Sequence, residues 1–419
     1  MSRHVVVLGA GVSGKSLAKY FYRLGDHVTI VDRSLKALHN IPESHVKLLE
    51  GTQELPKQVD FVVRSPGIPP THAWVIEAKS RGISVETDIQ VALKSPEFQQ
   101  YPSIGVTGSN GKTTTVSFLT HLFHTLGLSA VSMGNIGTPI LELQGVSGIR
   151  VVEISSFQLV DQEERIPVFS SAALLNVCQN HLDYHDTMDA YMMAKSHIAN
   201  YVQDPQTLWV GEGISLGKPY RAYFEETQEI LDKASALKPI YLHDRSNYCA
   251  AYALAKEVCH VPLEGFLLAI QTFKKPPHRI EYLGKKHNVH YYNDSKATTV
   301  EAVKQALIAL GSKVIVILGG RNKGGDFSAL SFVLSQTAKH VIAMGECREE
   351  IVQAVAGVVP VCMAHKLEEA VEIAQALASA GDSILLSPGC TSFDQFQNFE
   401  ERGIFFKKLV GEMEALSSL

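Results

Sequence analysis

Three times along this chain of 419 residues a short apolar run stops abruptly at a glycine turn. Residues 5–8 lead into Gly9-Ala10-Gly11, residues 103–106 into Thr107-Gly108, and residues 314–318 into Gly319-Gly320. A β-branched run closed by glycine is how the first strand of an α/β unit enters the loop before its helix. The three starts lie roughly 100 and 210 residues apart, too uneven for a repeat but suited to separate doubly wound domains. The fold predicted is α/β with three domains, each a mainly parallel sheet flanked by helices. They are a Rossmann-like domain over 1–93, a central P-loop ATPase-like domain over 94–276 and a Rossmann-like C-terminal domain over 277–419.

Local patterns place these bounds. Leu17, Ala18, Phe21, Tyr22 and Leu24 have helical spacing over 15–24, and Gly25 ends that helix before a strand over 28–31. Two prolines in a polar run over 95–102 read as a linker. Pro276-Pro277 then stops a helical pattern over 250–269. Between 201 and 245 no clean period emerges.

Composition narrows the class. With 38 Lys and Arg against 43 Asp and Glu, the net charge of −5 is spread without long blocks, which argues against nucleic acid or an anionic membrane as partner. The six cysteines never form a C-x-x-C pair and read as free thiols in a reducing compartment. The first apolar run is too short for a secretory signal or a membrane span. A soluble, cytoplasmic, monomeric protein is expected.

Gly9-Ala10-Gly11-Val12-Ser13-Gly14 fits G-x-G-x-x-G between a strand and a helix, with Asp32 ending the next strand where a ribose-binding acid would sit. Read alone, the motif allows NAD, FAD or another nucleotide's diphosphate, because exposed N–H groups and the helix dipole favour any anion. It also allows glycines that merely permit close packing. The octapeptide Thr107-Gly108-Ser109-Asn110-Gly111-Lys112-Thr113-Thr114 is more specific, since it joins a strand to an apolar-periodic helix over 116–126. Such a loop cradles phosphates with its N–H groups, its lysine meets the β- and γ-phosphates, and the following hydroxyl reaches Mg²⁺. Its first glycine falls at Gly105, one residue from the strict spacing.

Further candidates stand at strand ends. Glu153 lies in the short strand read over 151–156, downstream of the phosphate-type loop, where nucleotide hydrolases place a magnesium-holding acid. Asn180-His181-Leu182-Asp183 follows the apolar run 172–177, and Lys195 comes fourteen residues after His181. Spacing alone leaves His181 and Lys195 as solvated side chains. His278-Arg279, Asn293-Asp294-Ser295-Lys296-Ala297-Thr298, the loop from Gly319 to Asp326 and the loop from Ser387 to Asp394 all follow turns or strands of the last third. Such clusters suit the mouth of a parallel sheet, although Asp294 or Ser295 could also serve simply as a helix cap.

Together, T-G-S-N-G-K-T-T, E-I-S-S-F-Q-L, N-x-x-x-N-H-L-D, the later lysine, P-H-R, N-D-S-K-A-T, G-G-x-x-K and S-P-G-C-x-S-F-D-Q-F-x-N-F-E-x-R-G resemble the Mur ligase family, from residue 5 to about 405. The G-A-G-V-S-G start, Ser65-Pro66-Gly67-Ile68 and the stretch 387–403 resemble the D-glutamate-adding member, and the D-N-P-R signature of the diaminopimelate-adding member is missing. The resemblance implies an ATP-dependent carboxylate–amine ligase that joins D-glutamate to UDP-N-acetylmuramoyl-L-alanine through an acyl phosphate. A family ligase with another amino acid or acceptor is the nearest alternative, and an NAD-dependent oxidoreductase a more distant one.

By the same resemblance, Ser13, Asp32, Arg33, Ser65 and Gly67 would line a UDP site, with Asn135 and His181 reaching the muramoyl-alanine part. Gly108, Ser109, Asn110, Gly111, Lys112, Thr113 and Thr114, with Asn247, His278, Arg279, Asp294 and Lys296, would hold ATP. Thr113 and Glu153 would hold one Mg²⁺, and His181 with Lys195 a second, Lys195 carrying a CO₂-derived carbamate. Lys112, Glu153, His181 and Lys195 would form the catalytic set, and Thr298, Lys323, Ser392, Phe393 and Phe399 the D-glutamate pocket. The chain departs from the family pattern at Ala250, Arg321 and Asn322.

Overall fold

In a computed structural model, residues 2–33, 38, 46–50, 55–135, 139–142, 146–160, 164–178, 181–217, 219–223, 232 and 242–411 are described. The chain divides into two units, one of Met1–Val177, Thr187–Ile240 and Asp244–Phe273, the other of Cys178–Asp186, Tyr241–His243 and Lys274–Leu419.

The first unit holds two parallel sheets. One has β1 (His4–Leu8), β2 (His27–Asp32), β3 (Val46–Glu50), β4 (Phe61–Arg64) and β5 (Ser84–Thr87) in the order β3-β2-β1-β4-β5. The other has β6 (Ser103–Thr107), β7 (Ala130–Gly134), β8 (Ile149–Glu153), β9 (Ser171–Leu174), β10 (Leu208–Val210) and β11 (Arg221–Ala222) in the order β11-β10-β9-β6-β8-β7. Every residue of β6, β8 and β9 is buried, as expected of strands covered on both faces. In both sheets the first strand is central and chain order reverses beside it, so the loops after β1 and β6 open at switch points, where α/β proteins bind ligands.

Several elements depart from the sequence expectation. Residues 95–102 are not a free linker: Pro96–Gln99 is a helical turn whose Phe98 is buried, edge-on to Phe169 at 6.4 Å between ring centroids. Phe98 belongs to one apolar core that takes in Val5 and Phe21 from the first sheet's layer and Val152 and Tyr201 from the second's. The helical pattern over 250–269 is two helices, Leu242–Lys256 and Leu263–Thr272, with Pro262 as the N-cap of the second. The helices after the two glycine loops start early, at Val12–Arg23 and Lys112–Thr125. Thr113, Thr114 and Thr115 hide the second start from an apolar count, while Gly111 supplies it by adopting φ 84°. The strand over 151–156 stops at Glu153, and Ser156–Leu159 is a helical turn held by a capping box between Ser155 and Gln158. Within 201–245, β10 and β11 are short strands, and residues 224–231 and 233–241 lie outside the described residues.

The second unit holds a sheet in the order β12-β13-β17-β14-β15-β16. These are β12 (Glu281–Lys286), β13 (Val289–Asn293), β14 (Val314–Gly319), β15 (Ala338–Met344), β16 (Val361–Ala364) and β17 (Ser383–Leu386). The run over 314–318 therefore does not open its sheet: an antiparallel hairpin of β12 and β13 precedes it, turning through His287 and Asn288 at φ 50° and 62°. The remaining strand pairs are parallel. Among the described residues no helix is long and apolar enough to cross a membrane, and all six cysteines are free thiols.

Gly14 shows how tightly the first glycine loop packs. A Cβ there would lie 1.8 Å from the Gly9 carbonyl oxygen, a backbone atom that cannot move away cheaply. Gly14→Ala is expected to destabilise the protein by roughly 1–3 kcal/mol, in the range of other overpacking substitutions. Thermal unfolding checks this, and an unchanged melting temperature would contradict the close approach.

Candidate functional site

At the carboxyl ends of β1, β2 and β4, a cavity is lined by Gly9, Asp32, Arg33, Gly67, Ile68 and His72 among others. Asp32 Oδ2 accepts the Ala10 N–H at 2.7 Å, and Ser65 Oγ donates to the Gly9 carbonyl at 3.3 Å. Asp32 thus spends one oxygen on shaping the glycine loop. Asp32, Arg33 and Gly67 come together here, while Ser65 is buried behind them. Ser13 faces a separate small cavity with Ser16, Asp88 and Gln158. Removal from water pushes the Asp88 carboxyl up to about 6, against the bonds it accepts from Ser13, Ile89 and Gln158.

The loop after β6 is held from several sides. Asn176 Oδ1 accepts the Asn110 N–H at 2.8 Å and Asn176 Nδ2 donates to the Asn110 carbonyl at 3.1 Å. The Ser109 N–H donates to the Asn176 carbonyl at 2.9 Å, and the Ser109 and Tyr191 hydroxyls bond at 3.0 Å. Thr107 Oγ1 donates to the Ile154 carbonyl at 2.8 Å, fixing the loop's first residue against the end of β8. Gly108 and Gly111 stand at φ 155° and 84°, and a Cβ on Gly111 would meet Asn247 Oδ1 at 2.2 Å. Asn247 is buried and accepts from Thr115 Oγ1 at 3.4 Å, so it buttresses the loop from behind. Thr113 and Thr114 lie in the first turn of the helix that follows.

Two lysines converge on one atom of that loop. Lys112 Nζ donates to the Gly108 carbonyl at 2.6 Å and to the Ser109 carbonyl at 2.9 Å, while Lys195 Nζ donates to the same Gly108 oxygen at 2.9 Å. Lys195 is 1% exposed and lies over the Tyr191 ring, 4.6 Å from its centroid. Next to the loop, Glu153 is 2% exposed. Its Oε1 accepts from Asn135 Nδ2 at 3.1 Å, and its buried Oε2 has no partner among the described residues. An orphaned carboxylate oxygen beside a phosphate-type loop is the donor a hard cation such as Mg²⁺ takes. Among the described residues no three His, Cys, Asp or Glu side chains form a ready cluster for a metal. Glu153 Oε2 is one such buried donor.

In the second unit, Asp294 follows β13 and is buried. It accepts Ser387 Oγ–H at 2.8 Å and the Ile280 N–H at 3.1 Å, yet burial pushes its carboxyl up to about 7. Ile280 makes that contact at φ 47°, a costly conformation for a β-branched residue. His278, with its value lowered chiefly by burial, bonds Asn293 Nδ2 through Nδ1 at 2.8 Å and packs edge-on to Phe399 at 6.4 Å. Lys296 Nζ lies 3.7 Å from the centroid of the Phe399 ring. Arg279 stands close enough to lower Asp294 electrostatically. Cys178, His181, Thr298, Lys323 and Gly389 line one cavity, and His181 adopts φ 54°. Ser392 is 2% exposed with its Oγ unpartnered among the described residues, whereas Phe393 is 54% exposed. Asn180 lies outside the described residues.

Sequence reasoning passed over Asn176, Tyr191 and Arg402. Tyr191 precedes Lys195 by four residues on the helix Met188–Ser196, so the shared face was readable from spacing. Arg402 is 1% exposed and donates to Ser295 Oγ, the Ser295 carbonyl and the Cys390 carbonyl at 3.0, 2.9 and 3.1 Å, tying the loops after β13 and β17. The departures also find their places. Ala250 is buried in the second sheet's core, Arg321 pairs with Glu346 at 2.8 Å, and Asn322 donates to the Gly325 carbonyl at 3.0 Å, bracing the loop that carries Lys323.

Three family models match the chain. Residues 106–228 match the Mur ligase middle domain, residues 278–390 the glutamate ligase domain of Mur ligases, and residues 3–87 the N-terminal domain of MurD-like Mur ligases. The chain is 59% identical over 416 residues to the UDP-N-acetylmuramoylalanine--D-glutamate ligase of Chlamydia pneumoniae, covering 99% of this chain and 100% of that protein. It is 60% identical over 414 residues to the ligase of the same name from Chlamydia felis, covering 99% of each. Its fold is similar to that of the UDP-N-acetylmuramate-alanine ligase of Thermotoga maritima, with a TM-score of 0.58, 15% identity and coverage of 97% and 98%. A pseudomurein peptide ligase from Methanothermus fervidus gives a TM-score of 0.52 at 18% identity, covering 92% of this chain and 96% of that one.

Asp294 supplies a test in pH. Its folded value of about 7 lies above the ordinary 3.8, so ionising it costs the folded state. The cost is absent below about pH 4, grows as pH rises and is complete above about pH 7. Asp294→Asn is expected to raise the melting temperature at pH 8 and leave it nearly unchanged at pH 4. A gain of equal size at both would contradict the buried, ionising carboxyl.

Proposed function

The chain belongs to the Mur ligase family, and from that premise we propose that it joins D-glutamate to UDP-N-acetylmuramoyl-L-alanine, with cleavage of ATP to ADP and phosphate, in peptidoglycan precursor synthesis. The observation that carries this reading is the full-length 59% identity to a ligase named for that reaction. The braced loop around Lys112 and the orphaned oxygen of Glu153 support it independently.

Asp32, Arg33 and Gly67 line the UDP cavity in this reading, with Ser65 shaping the loop beneath it, Ser13 completing the UDP site, and Asn135 and His181 reaching the muramoyl-alanine end. The N–H groups of Gly108 to Thr114 and the Lys112 ammonium cradle the triphosphate. Lys112 leaves the Gly108 and Ser109 carbonyls when phosphate oxygens, stronger acceptors, arrive. Asn247, His278, Arg279, Asp294 and Lys296 serve the rest of ATP. Thr298, Lys323, Ser392, Phe393 and Phe399 receive D-glutamate, the unpartnered Ser392 hydroxyl offering a buried donor for a carboxylate.

The reaction brings anions together: the carboxylate of the L-alanyl group attacks the γ-phosphorus and forms an acyl phosphate as ADP leaves. The D-glutamate amine then adds to the acyl carbon, and phosphate departs from the tetrahedral intermediate. Thr113 and Glu153 would hold one magnesium ion, and His181 with a carbamylated Lys195 a second, whose positive charge would offset these anions. A plain ammonium on Lys195 would repel that ion. Carbamylation joins its unprotonated Nζ to the carbon of CO₂ with loss of a proton and leaves a carboxylate. It also relieves the present arrangement, in which the buried Lys195 ammonium and the half-buried Lys112 ammonium share the Gly108 oxygen.

The test is phosphate release from ATP with Mg²⁺, bicarbonate and UDP-N-acetylmuramoyl-L-alanine, adding D-glutamate, L-glutamate, L-alanine, L-lysine or diaminopimelate singly. Release with D-glutamate alone, and a matching mass gain in the acceptor, is expected. Release with another amino acid instead would overturn the assignment. Lys195→Ala is expected to lose at least tenfold in activity and to recover part of it with acetate, which restores a carboxylate. A folded but unrescued variant would count against the carbamate.

A further inference from the structure

Cys347 and Cys390 come from different loops of the third sheet, yet their sulfurs lie 3.3 Å apart. Cys347 directly precedes the helix Arg348–Ala354 after β15, and Cys390 sits in the loop after β17. Both belong to one apolar cluster with Phe327, Leu330 and Ile351, at 7% and 1% exposure. The backbone already fixes their approach. The Cys347 N–H donates to the Gly320 carbonyl at 3.1 Å, and Thr391 and Arg321 exchange backbone bonds at 3.1 Å each. A Cβ on Gly320 would meet the Thr391 carbonyl at 2.3 Å and the Cys390 Cβ at 3.1 Å, so the loops touch with no side chain between them.

We propose that Cys347 and Cys390 are a thiol modification site, which a low-molecular-weight disulfide such as oxidised glutathione converts to an intramolecular disulfide. Bond formation brings the sulfurs from 3.3 Å to about 2.05 Å. The roles of the two thiols differ. The hydrogen bond with Cys390 lowers the Cys347 thiol, whereas that bond and burial raise Cys390. Cys347, also the more exposed, is the attacking group. Its thiolate displaces one glutathione from the oxidant and forms a mixed disulfide. The Cys390 sulfur, losing its proton, attacks Cys347 Sγ and expels the second glutathione. Two protein thiols are oxidised and one small disulfide is reduced to two thiols.

The bond ties the loops after β15 and β17 across the Gly319-Gly320 turn. Cys390 lies two residues before Ser392 and next to Gly389, which lines the cavity of Thr298 and Lys323. On the reading of that cavity proposed above, oxidation raises the D-glutamate KM several-fold and leaves the ATP KM nearly unchanged.

The experiment equilibrates the full-length, folded protein with oxidised and reduced glutathione, blocks free thiols, and maps peptides by mass. The expected product is a peptide pair linked through Cys347 and Cys390, lighter by two hydrogens and restored by dithiothreitol. Cys347→Ser and Cys347→Ala are expected to abolish the linkage and keep unoxidised activity, while Cys249→Ser leaves the linkage intact. A persistent mixed glutathione adduct, no oxidation at either residue, or linkage to other cysteines would overturn the proposal. The mass readout is independent of which reaction is catalysed, so it fails or stands apart from the assigned function. An unchanged D-glutamate KM in the linked protein would overturn the coupling to that cavity.

Discussion

One carbonyl oxygen organises the centre of the first unit. Gly108 faces Lys112 from the loop's own helix and Lys195 from a helix that follows β9, and both ammonium groups donate to it. The loop can present that oxygen only because Gly108 and Gly111 adopt positive φ and because Asn176 and Tyr191 hold the segment between them. Each neutral bond contributes about 1 kcal/mol, so the shape comes from their number and direction. A carbonyl crowded by two cations is a poor resting place for both, and in the proposed mechanism phosphate would offer Lys112, and CO₂ Lys195, a better partner.

Parallel strands supply the second constraint. Their carboxyl ends gather the glycine loops of β1 and β6 at switch points, and the loops after β13, β14 and β17 lie at adjacent strand ends in the third sheet. Neighbouring loops must then share their fixings. Asp32 bonds Ala10, Thr107 bonds Ile154, Arg402 bonds both Ser295 and Cys390, and Asp294 bonds Ser387. Glu153, Asp294 and Lys195 are all buried, and the roles proposed above would give each of them a ligand or a modification.

What the sequence made legible was local. A β-branched run followed by glycine reports a strand, a turn and a helix within a dozen residues, so β1, β6 and the phosphate-type loop could be read directly, as could Glu153 at a strand end. What stayed hidden depends on distant partners. Asn110 meets Asn176 across 66 residues and Ser295 meets Arg402 across 107, which no periodicity encodes. Other features do carry a local signal. Pro262 marks the break between two helices, and His287-Asn288 is a two-residue turn that announces the hairpin ahead of β14. Residues 95–102 look like a linker by composition, but Phe98 alone commits them to the core.

The chemistry rests on a carboxylate that attacks phosphorus before the amine arrives. Oxygen-18 placed in the carboxylate of UDP-N-acetylmuramoyl-L-alanine follows that step directly. An acyl phosphate predicts that one labelled oxygen per turnover leaves in inorganic phosphate when D-glutamate is present. Unlabelled phosphate alongside normal product would contradict the mechanism, because the bond between carboxylate oxygen and phosphorus would never have formed.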